Sequence, residues 1–455
     1  MPRKILMIAY YFHPDLEVGA VRTVKFAKFL PESDWKAIIV TVKSKYYQKT
    51  DPTPLPFECT VERSSKWPTV GDCYLWAKKM LRSVRGKQSA GSGNESLQSL
   101  TSSLQQGGSG FKWKSLFRWI FWTPDYCIGW LFPGIWMGVK VARREKVDLI
   151  YASGPPRTGH WIAWVVSLIT GKPLVADFRD PLVVAQRPEK FTTRLAWRFE
   201  CWMERRTVNR SILVMTTTPE FRDVLKKQYY PVLETNCQSV INGFDIDDFP
   251  GAAPEDHDPK ETIHFLYAGT LYEGRDPRQF VVALGELVSS GFLKREGIVV
   301  DFYGPIEIDT TSLQRIIEQC GLADVIQFKA LVKRSEYLRL IGSADVLLLL
   351  QSNLTPTEVP AKTFEYLATG NEILAMAPPG ATANILKGYE NVQIAHPEDH
   401  VAIKSAIQTI VTRLRSGSRD RSKSLQSLKH LYKRELTRDF AQLLDDAVAR
   451  SKSKP

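Results

Sequence analysis

The loop that follows the first apolar run, Tyr10–Arg22, contains a single glycine, Gly19, and no Gly-x-Gly-x-x-Gly fingerprint. That absence argues against an enzyme built around NAD or FAD. The six cysteines (Cys59, Cys73, Cys127, Cys201, Cys237 and Cys320) are scattered, with no Cys-x-x-Cys and no histidine at zinc spacing. A structural metal is therefore not expected, and free thiols in a reducing compartment are. No window reaches the roughly 18–20 uninterrupted apolar residues of a spanning helix. The brief apolar run behind the basic start, Met1–Tyr11, is too short for a signal peptide and has no small-residue cleavage site after it. The expected location is the cytoplasm, with peripheral contact at the inner face of the cell membrane as a candidate.

What is abundant is positive charge. The 455 residues carry 61 Lys and Arg against 49 Asp and Glu, a formal net charge of +12, which favours anionic partners. Apolar runs of strand length recur between helical stretches. The first half offers 5–9, 37–42, 149–152, 174–177 and 212–216; the second offers 264–268, 298–303, 325–328, 346–350, 373–377 and 392–394. Several are nearly continuous Val, Ile and Leu, as strands buried on both faces require. The alternation predicts an α/β protein with parallel sheets covered by helices. The Pro- and acid-rich stretch 245–262 reads as a linker, giving an N-terminal domain over 1–245, a second doubly wound domain over 246–434 and a C-terminal helix over 435–455. In such sheets ligands bind beyond the carboxyl ends of the strands, so a cleft between the domains is the default site.

Two segments break this pattern. Residues 85–110 are rich in Gly, Ser and Gln and read as a flexible insert. The following segment, 111–144, holds Trp113, Trp119, Trp122, Trp130 and Trp136, with Lys and Arg interleaved. Aromatic and basic residues together suit a membrane interface; burial against the first domain, with Pro124 and Pro133 breaking the segment, is the competing reading. Stacking on nucleic-acid bases lacks any accompanying module, and no nucleic acid is expected as partner.

The stretch Thr357–Gly370 reads as a short helix, with Pro360 suited to its first turn and Gly370-Asn371 to its close. Phe364, Leu367 and Ala368 form its buried stripe. Lys362 and Glu365 lie off that stripe, in an order that opposes the helix dipole. A plain surface pair is one reading. An anion at the helix start, met by N–H groups and Lys362, makes better sense of the order.

Other candidate residues sit at strand ends. The Gly19 loop can bring backbone N–H groups to a phosphate. Ser153–His160 joins a strand to a helix and places Arg157 and His160 near the cleft. Asp177-Phe178-Arg179-Asp180 ends the next strand, either as an ion-pair lock or, as favoured here, as a substrate site. The acids Asp245, Asp247 and Asp248 read as turn and linker residues. In the second domain, Gly269-Thr270 with Arg275 could hold a diphosphate, and Gly304 repeats the strand-then-glycine arrangement.

With these pieces in order, the chain resembles a retaining glycosyltransferase of family 4, of GT-B architecture with two Rossmann-like domains facing a central cleft. The resemblance spans nearly the whole chain. It is carried by Lys4–Pro14, Ser153–Pro156 with His160, Ala176–Pro181, Asn242–Asp245, Gly269–Tyr272 with Arg275–Pro277, and Pro360-x-Lys362-x-x-Glu365-Tyr366-Leu367-Ala368. It implies a nucleotide-sugar donor on the second domain, a saccharide or lipid-linked acceptor on the first, and no metal or cofactor.

On that resemblance Arg275, Lys362 and Glu365 are the catalytic set. Gly19, Gly269, Thr270, Gly304, Glu358 and Pro360 contact the donor, and His160, Asp177, Arg179 and Asp180 lie on the acceptor side. Thr270 stands where the family usually has an arginine, so the clamp on the diphosphate leans on Arg275 and Lys362. Glu365 matches the second of the family's paired glutamates, whereas Thr357 occupies the first place and Glu358 is one position off. Retention in the family implies that the leaving diphosphate accepts the acceptor's proton, the protein contributing electrostatic stabilisation. A sugar-nucleotide epimerase of the same fold and a non-catalytic membrane scaffold are the alternatives.

Overall fold

The computed structural model describes residues 2–69, 72, 125–180, 194–249, 262–417 and 427–453. The insert 85–110, the tryptophan segment up to 124 and the linker stretch 250–261 lie outside the described residues. The chain divides into two compact units: Met1–Thr217 with Phe221–Val240 and Thr437–Pro455, and Thr218–Glu220 with Ile241–Leu436.

In the first unit, β1 (Arg3–Ile8), β2 (Trp35–Val42), β3 (Thr60–Ser64), β4 (Leu149–Gly154), β5 (Leu174–Phe178), β6 (Ser211–Thr216) and β7 (Cys237–Ser239) form one sheet in the order β3-β2-β1-β4-β5-β6-β7. Every recorded pairing is parallel. Its helices are α1 (Val18–Phe29), α2 (Leu131–Glu145), α3 (Arg157–Thr170), α4 (Arg194–Arg210) and α5 (Pro219–Gln228). Leu6 and Ile8 of β1 and Ile150 and Ala152 of β4 turn one way, into a core with Ile162 and Val166 of α3. Tyr151 turns the other way, against Phe26 of α1 and Phe440. Alternate side chains of a strand point to opposite faces, so helices on both sides are what keep these runs dry.

The second unit contains β8 (Ile263–Ala268), β9 (Ile298–Tyr303), β10 (Ile326–Lys329), β11 (Val346–Leu350), β12 (Glu372–Met376) and β13 (Val392–Ala395), in the order β10-β9-β8-β11-β12-β13. These pairings are also parallel. The accompanying helices are α6 (Arg278–Ser289), α7 (Thr310–Gln319), α8 (Arg334–Ser343), α9 (Ala361–Thr369), α10 (Ala381–Leu386) and α11 (His400–Ser416), followed by α12 (Lys433–Ser453). β11 shows the double burial most plainly. Val346, Leu348 and Leu350 pack with Phe280 and Ile407, while Leu347 and Leu349 pack with Phe364 and Leu367 of α9. Each fully buried Leu contributes about 1.5–3 kcal/mol of transfer free energy.

Both sheets change direction of winding beside their first strand, between β1 and β4 and between β8 and β11. Such switch points open a crevice at the carboxyl ends of the strands, where doubly wound folds bind ligands.

The structure departs from expectation at several places. β3 and β7 had no apolar run to announce them. The chain passes from the first unit to the second at Val240/Ile241, because Phe244 is already buried in the second unit's core. There the Phe244 N–H donates to the Leu431 carbonyl at 3.0 Å. Asp245 caps a turn by accepting from the Asp247 N–H. Pro133 does not break its helix but occupies the first turn of α2, where its missing N–H costs nothing. Of the two described tryptophans of that segment, Trp130 is fully buried, as the burial reading expects, whereas Trp136 is 62% exposed. From Thr437 onward α12 belongs to the first unit, where Phe440 stacks on Phe26 at 4.4 Å and Trp35 donates to Asp445 at 2.9 Å. The five described cysteines, Cys59, Cys127, Cys201, Cys237 and Cys320, are free thiols.

Candidate functional site

At the switch point of the second unit, β8 ends in Ala268 and the chain turns through Gly269. The φ of Gly269 is +151° and that of Gly304, after β9, is +130°; both lie where a Cβ is disfavoured. A Cβ on Gly304 would stand 2.5 Å from the carbonyl oxygen of Gly269, so the two loops touch through bare backbone. Gly274, with φ +91°, is pressed against the side chain of Ser352 beyond β11. Gly269, Gly274 and Gly304 thus leave no room for side chains of their own on the floor beyond β8 and β9.

Over that floor lie two cations. Pro360 is the N-cap of α9 and makes no side-chain cap, and Lys362 follows in the first turn. Lys362 does not pair with Glu365. Its Nζ donates to the Ala268 carbonyl at 2.8 Å and sits 4.2 Å from the centroid of the Tyr267 ring. A Cβ on Gly269 would be 2.3 Å from that nitrogen. Burial of the ammonium, reinforced by the nearby charge of Arg275, pushes the Lys362 pKa down to about 7. Arg275 lies over the Tyr272 ring at 4.9 Å, and its buried Nε has no hydrogen-bond partner. Tyr267, whose hydroxyl donates to the Thr270 carbonyl at 3.0 Å, has its pKa pushed up to about 12 by burial.

Glu365 is held on the next turn of α9. Arg334 Nη1 pairs with it at 2.6 Å and the Tyr337 hydroxyl donates to it at 2.6 Å, both from the start of α8. Burial, and then the Glu365 charge, push the Tyr337 pKa well above its ordinary value, so this phenol stays a donor. Each carboxylate oxygen retains a lone pair beyond these contacts. Glu358 lies in the turn before Pro360, its carbonyl accepting from Thr382 at 3.0 Å. The structure thus brings Gly269, Thr270, Gly304, Arg275, Lys362 and Glu365 to one region. Tyr267, Arg334 and Tyr337 were missed by sequence reasoning. A signal existed for Arg334, a cation in a first helical turn like Lys362.

In the first unit three of the expected acceptor-side residues, Asp177, His160 and Arg179, are engaged by partners within the fold. Asp177 is fully buried. Arg22 donates to it twice, Nε to Oδ2 at 2.8 Å and Nη2 to Oδ1 at 3.1 Å. Tyr151 at 2.5 Å and Ser153 at 3.1 Å complete its shell. Burial alone would raise its pKa, but the Arg22 guanidinium holds it below the usual carboxylate range. Asp177 is the ion-pair lock, against the expectation that it faces a substrate.

His160 is also buried, stacked on Phe178 at 4.4 Å, with Nε2 donating to the Asp177 carbonyl at 3.1 Å. Burial pushes its pKa down to about 4. The cavity it lines with Arg157, Glu200 and Glu204 is about 20 Å³, room for about one water and not for a sugar. His160 is thus packed and hydrogen-bonded at the strand ends. Arg179 fastens two loops, donating to the Gly19 carbonyl at 2.6 Å and also to the Pro155 carbonyl. Gly19 lies in the first turn of α1, and the Arg179 guanidinium fills the space its side chain would take. Asp180 is exposed at the end of the same segment. Among the described residues no group of three His, Cys, Asp or Glu is placed to hold a metal, and no helix is long and apolar enough to cross a membrane.

No family model and no curated protein matches this sequence. Solved structures do match. HepE of Anabaena in complex with UDP is 15% identical with a TM-score of 0.61, covering 97% of this chain and 100% of its own. The same protein in complex with UDP-glucose gives 14% identity and a TM-score of 0.58, over 97% and 99%. Sucrose-phosphate synthase from Thermosynechococcus elongatus is 15% identical with a TM-score of 0.62, over 98% and 100%. At these identities the likeness concerns the fold: two parallel-sheet α/β domains of GT-B type.

Proposed function

We propose that this chain is a glycosyltransferase taking its sugar from a nucleotide-sugar bound at the carboxyl ends of β8, β9 and β11. The observation that carries the reading is the pair Lys362 and Arg275. The two cations face a glycine-lined floor, one with its pKa depressed by burial and the other with an unpartnered buried nitrogen. A diphosphate has the charge and oxygen spacing to bridge the two side chains, and its approach would restore the proton that burial and Arg275 push off Lys362. That HepE of the same fold was solved with UDP and with UDP-glucose supports the same ligand class here.

In this reading the first-turn N–H groups of α9, Lys362 and Arg275 stabilise charge growing on the leaving diphosphate. Glu365, fixed by Arg334 and Tyr337, accepts from the hydroxyls of the ribose or donor sugar. No protein nucleophile and no metal are required, and the anomeric configuration is retained as in family 4. The acceptor is a saccharide or lipid-linked precursor, and the reaction belongs to polysaccharide or glycolipid assembly in the cytoplasm.

Thermal melting with a panel of nucleoside diphosphates and nucleotide-sugars, followed by assays of slow donor hydrolysis and acceptor transfer, tests the proposal. Stabilisation by one nucleotide and transfer only with an acceptor are expected. Activity on the donor without acceptor or hydrolysis would favour the epimerase, and no response to any nucleotide would remove the enzyme reading.

A further inference from the structure

We propose that the outer face of α2, α3 and α4 docks on a membrane surface rich in anionic phospholipid. The inference deepens the lipid-linked acceptor proposed above, and its test uses no sugar nucleotide, so the two readings fail separately.

The argument starts from α4, whose amphipathic order is reversed. Its acids, Glu200 and Glu204, are each only 6% exposed and face inward. Glu200 pairs with Arg157 at 3.2 Å and Glu204 accepts from Tyr229 at 2.5 Å. The outward stripe at i, i+4 and i+7 is Leu195, Phe199 and Trp202, exposed by 58%, 39% and 44%. Arg198, Arg205 and Arg206 are exposed beside it, with the Arg206 guanidinium 5.4 Å over the Trp202 ring. A helix that buries its carboxylates and shows aromatic rings and guanidinium groups to solvent is poorly matched to water.

α2 repeats the pattern. Phe132 and Trp136 are each 62% exposed, and Lys140 lies one turn further along with its ammonium 5.0 Å over Trp136. The acid of this helix, Glu145, stands at its end and pairs with Lys4 at 3.2 Å. α3 lies between the two in the same layer. Its Trp164 meets Trp202 at 6.4 Å, and Leu168 and Ile169 at its C-terminal end are exposed.

Contiguous exposed apolar groups rimmed by charge mark an interaction surface. Amphipathic rings with Lys and Arg beside them match the headgroup layer, where rings enter the interface and cations meet anionic phosphates. A second copy of this chain fits less well, because it would set the arginines of two α4 helices against each other.

The test is co-sedimentation of the full chain, at low salt, with vesicles of phosphatidylcholine alone or mixed with phosphatidylglycerol. Binding only to the anionic vesicles is expected, with tryptophan emission quenched by brominated lipid. The variant Arg198→Glu/Arg205→Glu/Arg206→Glu should lower the partition coefficient by about a hundredfold or more. Lys294→Glu/Arg315→Glu/Lys387→Glu, with the same net charge but the changes on exposed positions of the second unit, should alter it by less than about threefold. Phe199→Ser/Trp202→Ser, which leaves net charge unchanged, should also weaken binding. Absence of binding to anionic vesicles, equal loss in the two charge variants, or a dimer in sedimentation velocity that the α4 variant dissociates would each overturn the proposal. Brominated-lipid quenching of the unmodified chain decides the matter if a variant fails to fold.

Discussion

The ammonium nitrogen of Lys362 occupies the space that a side chain on Gly269 would take: a Cβ on the glycine would stand 2.3 Å from the nitrogen. Gly269→Ala therefore forces the lysine away from the Ala268 carbonyl and also holds an L-residue at φ +151°. Strain of this kind costs about 1–3 kcal/mol. The expected outcome is a modest fall in melting temperature together with loss of nucleotide-induced stabilisation. A variant that melts lower yet keeps its full nucleotide response would show that the lysine's position at this floor is irrelevant to binding.

The depressed pKa of Lys362, about 7, carries a pH dependence. In the unfolded chain a lysine holds its proton to about pH 10.4, so between those values the unfolded state binds more protons. Stability then rises with pH over that window, and the burial penalty is fully felt below about pH 7. Lys362→Met should flatten this slope in chemical denaturation measured from pH 7 to 9. A bound diphosphate restores the lysine's charge, so calorimetry of UDP binding at pH 8 in buffers of different ionisation enthalpy should read proton uptake that Lys362→Met abolishes.

Turnover provides the direct measure of the clamp. Loss of a preorganised donor to developing charge typically costs about a hundredfold or more in kcat. Arg275→Ala and Lys362→Ala should each fall by that order in a transfer assay, and near-normal turnover in both would remove the assignment.

The sheets were legible because buried parallel strands need continuous Val, Ile and Leu, as in Val346–Leu350. β3, Thr-Val-Glu-Arg-Ser, was not, since an edge strand is half wet and can carry Glu62 and Arg63. At the site, Lys362 betrayed itself by opposing the helix dipole. Arg334 broke the same rule at the start of α8 but had no motif to draw attention to it. Asp177 misled for a complementary reason. A charge at a strand end suggests a ligand, and the partner that satisfies it, Arg22, lies 155 residues away in sequence. Pairings over such separations leave no local pattern, so a lock and a substrate site look alike until the chain is folded.

Glu365 offers a graded test of the proposed donor contact. Tyr337→Phe removes one hydrogen bond to a charged group, worth about 1.5–3 kcal/mol to the fold, but leaves the carboxylate and its Arg334 partner in place, and should weaken nucleotide binding by less than about tenfold. Arg334→Ala releases the carboxylate from its ion pair, which is partly exposed on the arginine side and so of modest worth to stability. Its main effect should be on donor affinity rather than on melting. Glu365→Gln keeps the shape and removes the charge, and should weaken binding more than Tyr337→Phe. Calorimetric titration of the three variants ranks them; equal affinities would mean that this carboxylate serves only to join α8 to α9.

The Arg22–Asp177 pair should behave in the opposite manner, moving stability far more than nucleotide binding. Both side chains are almost wholly dry, at 3% and 0% exposure, and the carboxylate also receives Tyr151 and Ser153. Removing one partner of a buried ion pair leaves an uncompensated charge and costs about 3–5 kcal/mol. Arg22→Met should therefore lower the unfolding free energy by that order, whereas Arg22→Met/Asp177→Asn should recover much of it, because no charge remains to be solvated. Urea denaturation of the two variants distinguishes them. A double variant as unstable as the single would show that packing around Arg22, rather than the charge on Asp177, holds α1 to the strand ends.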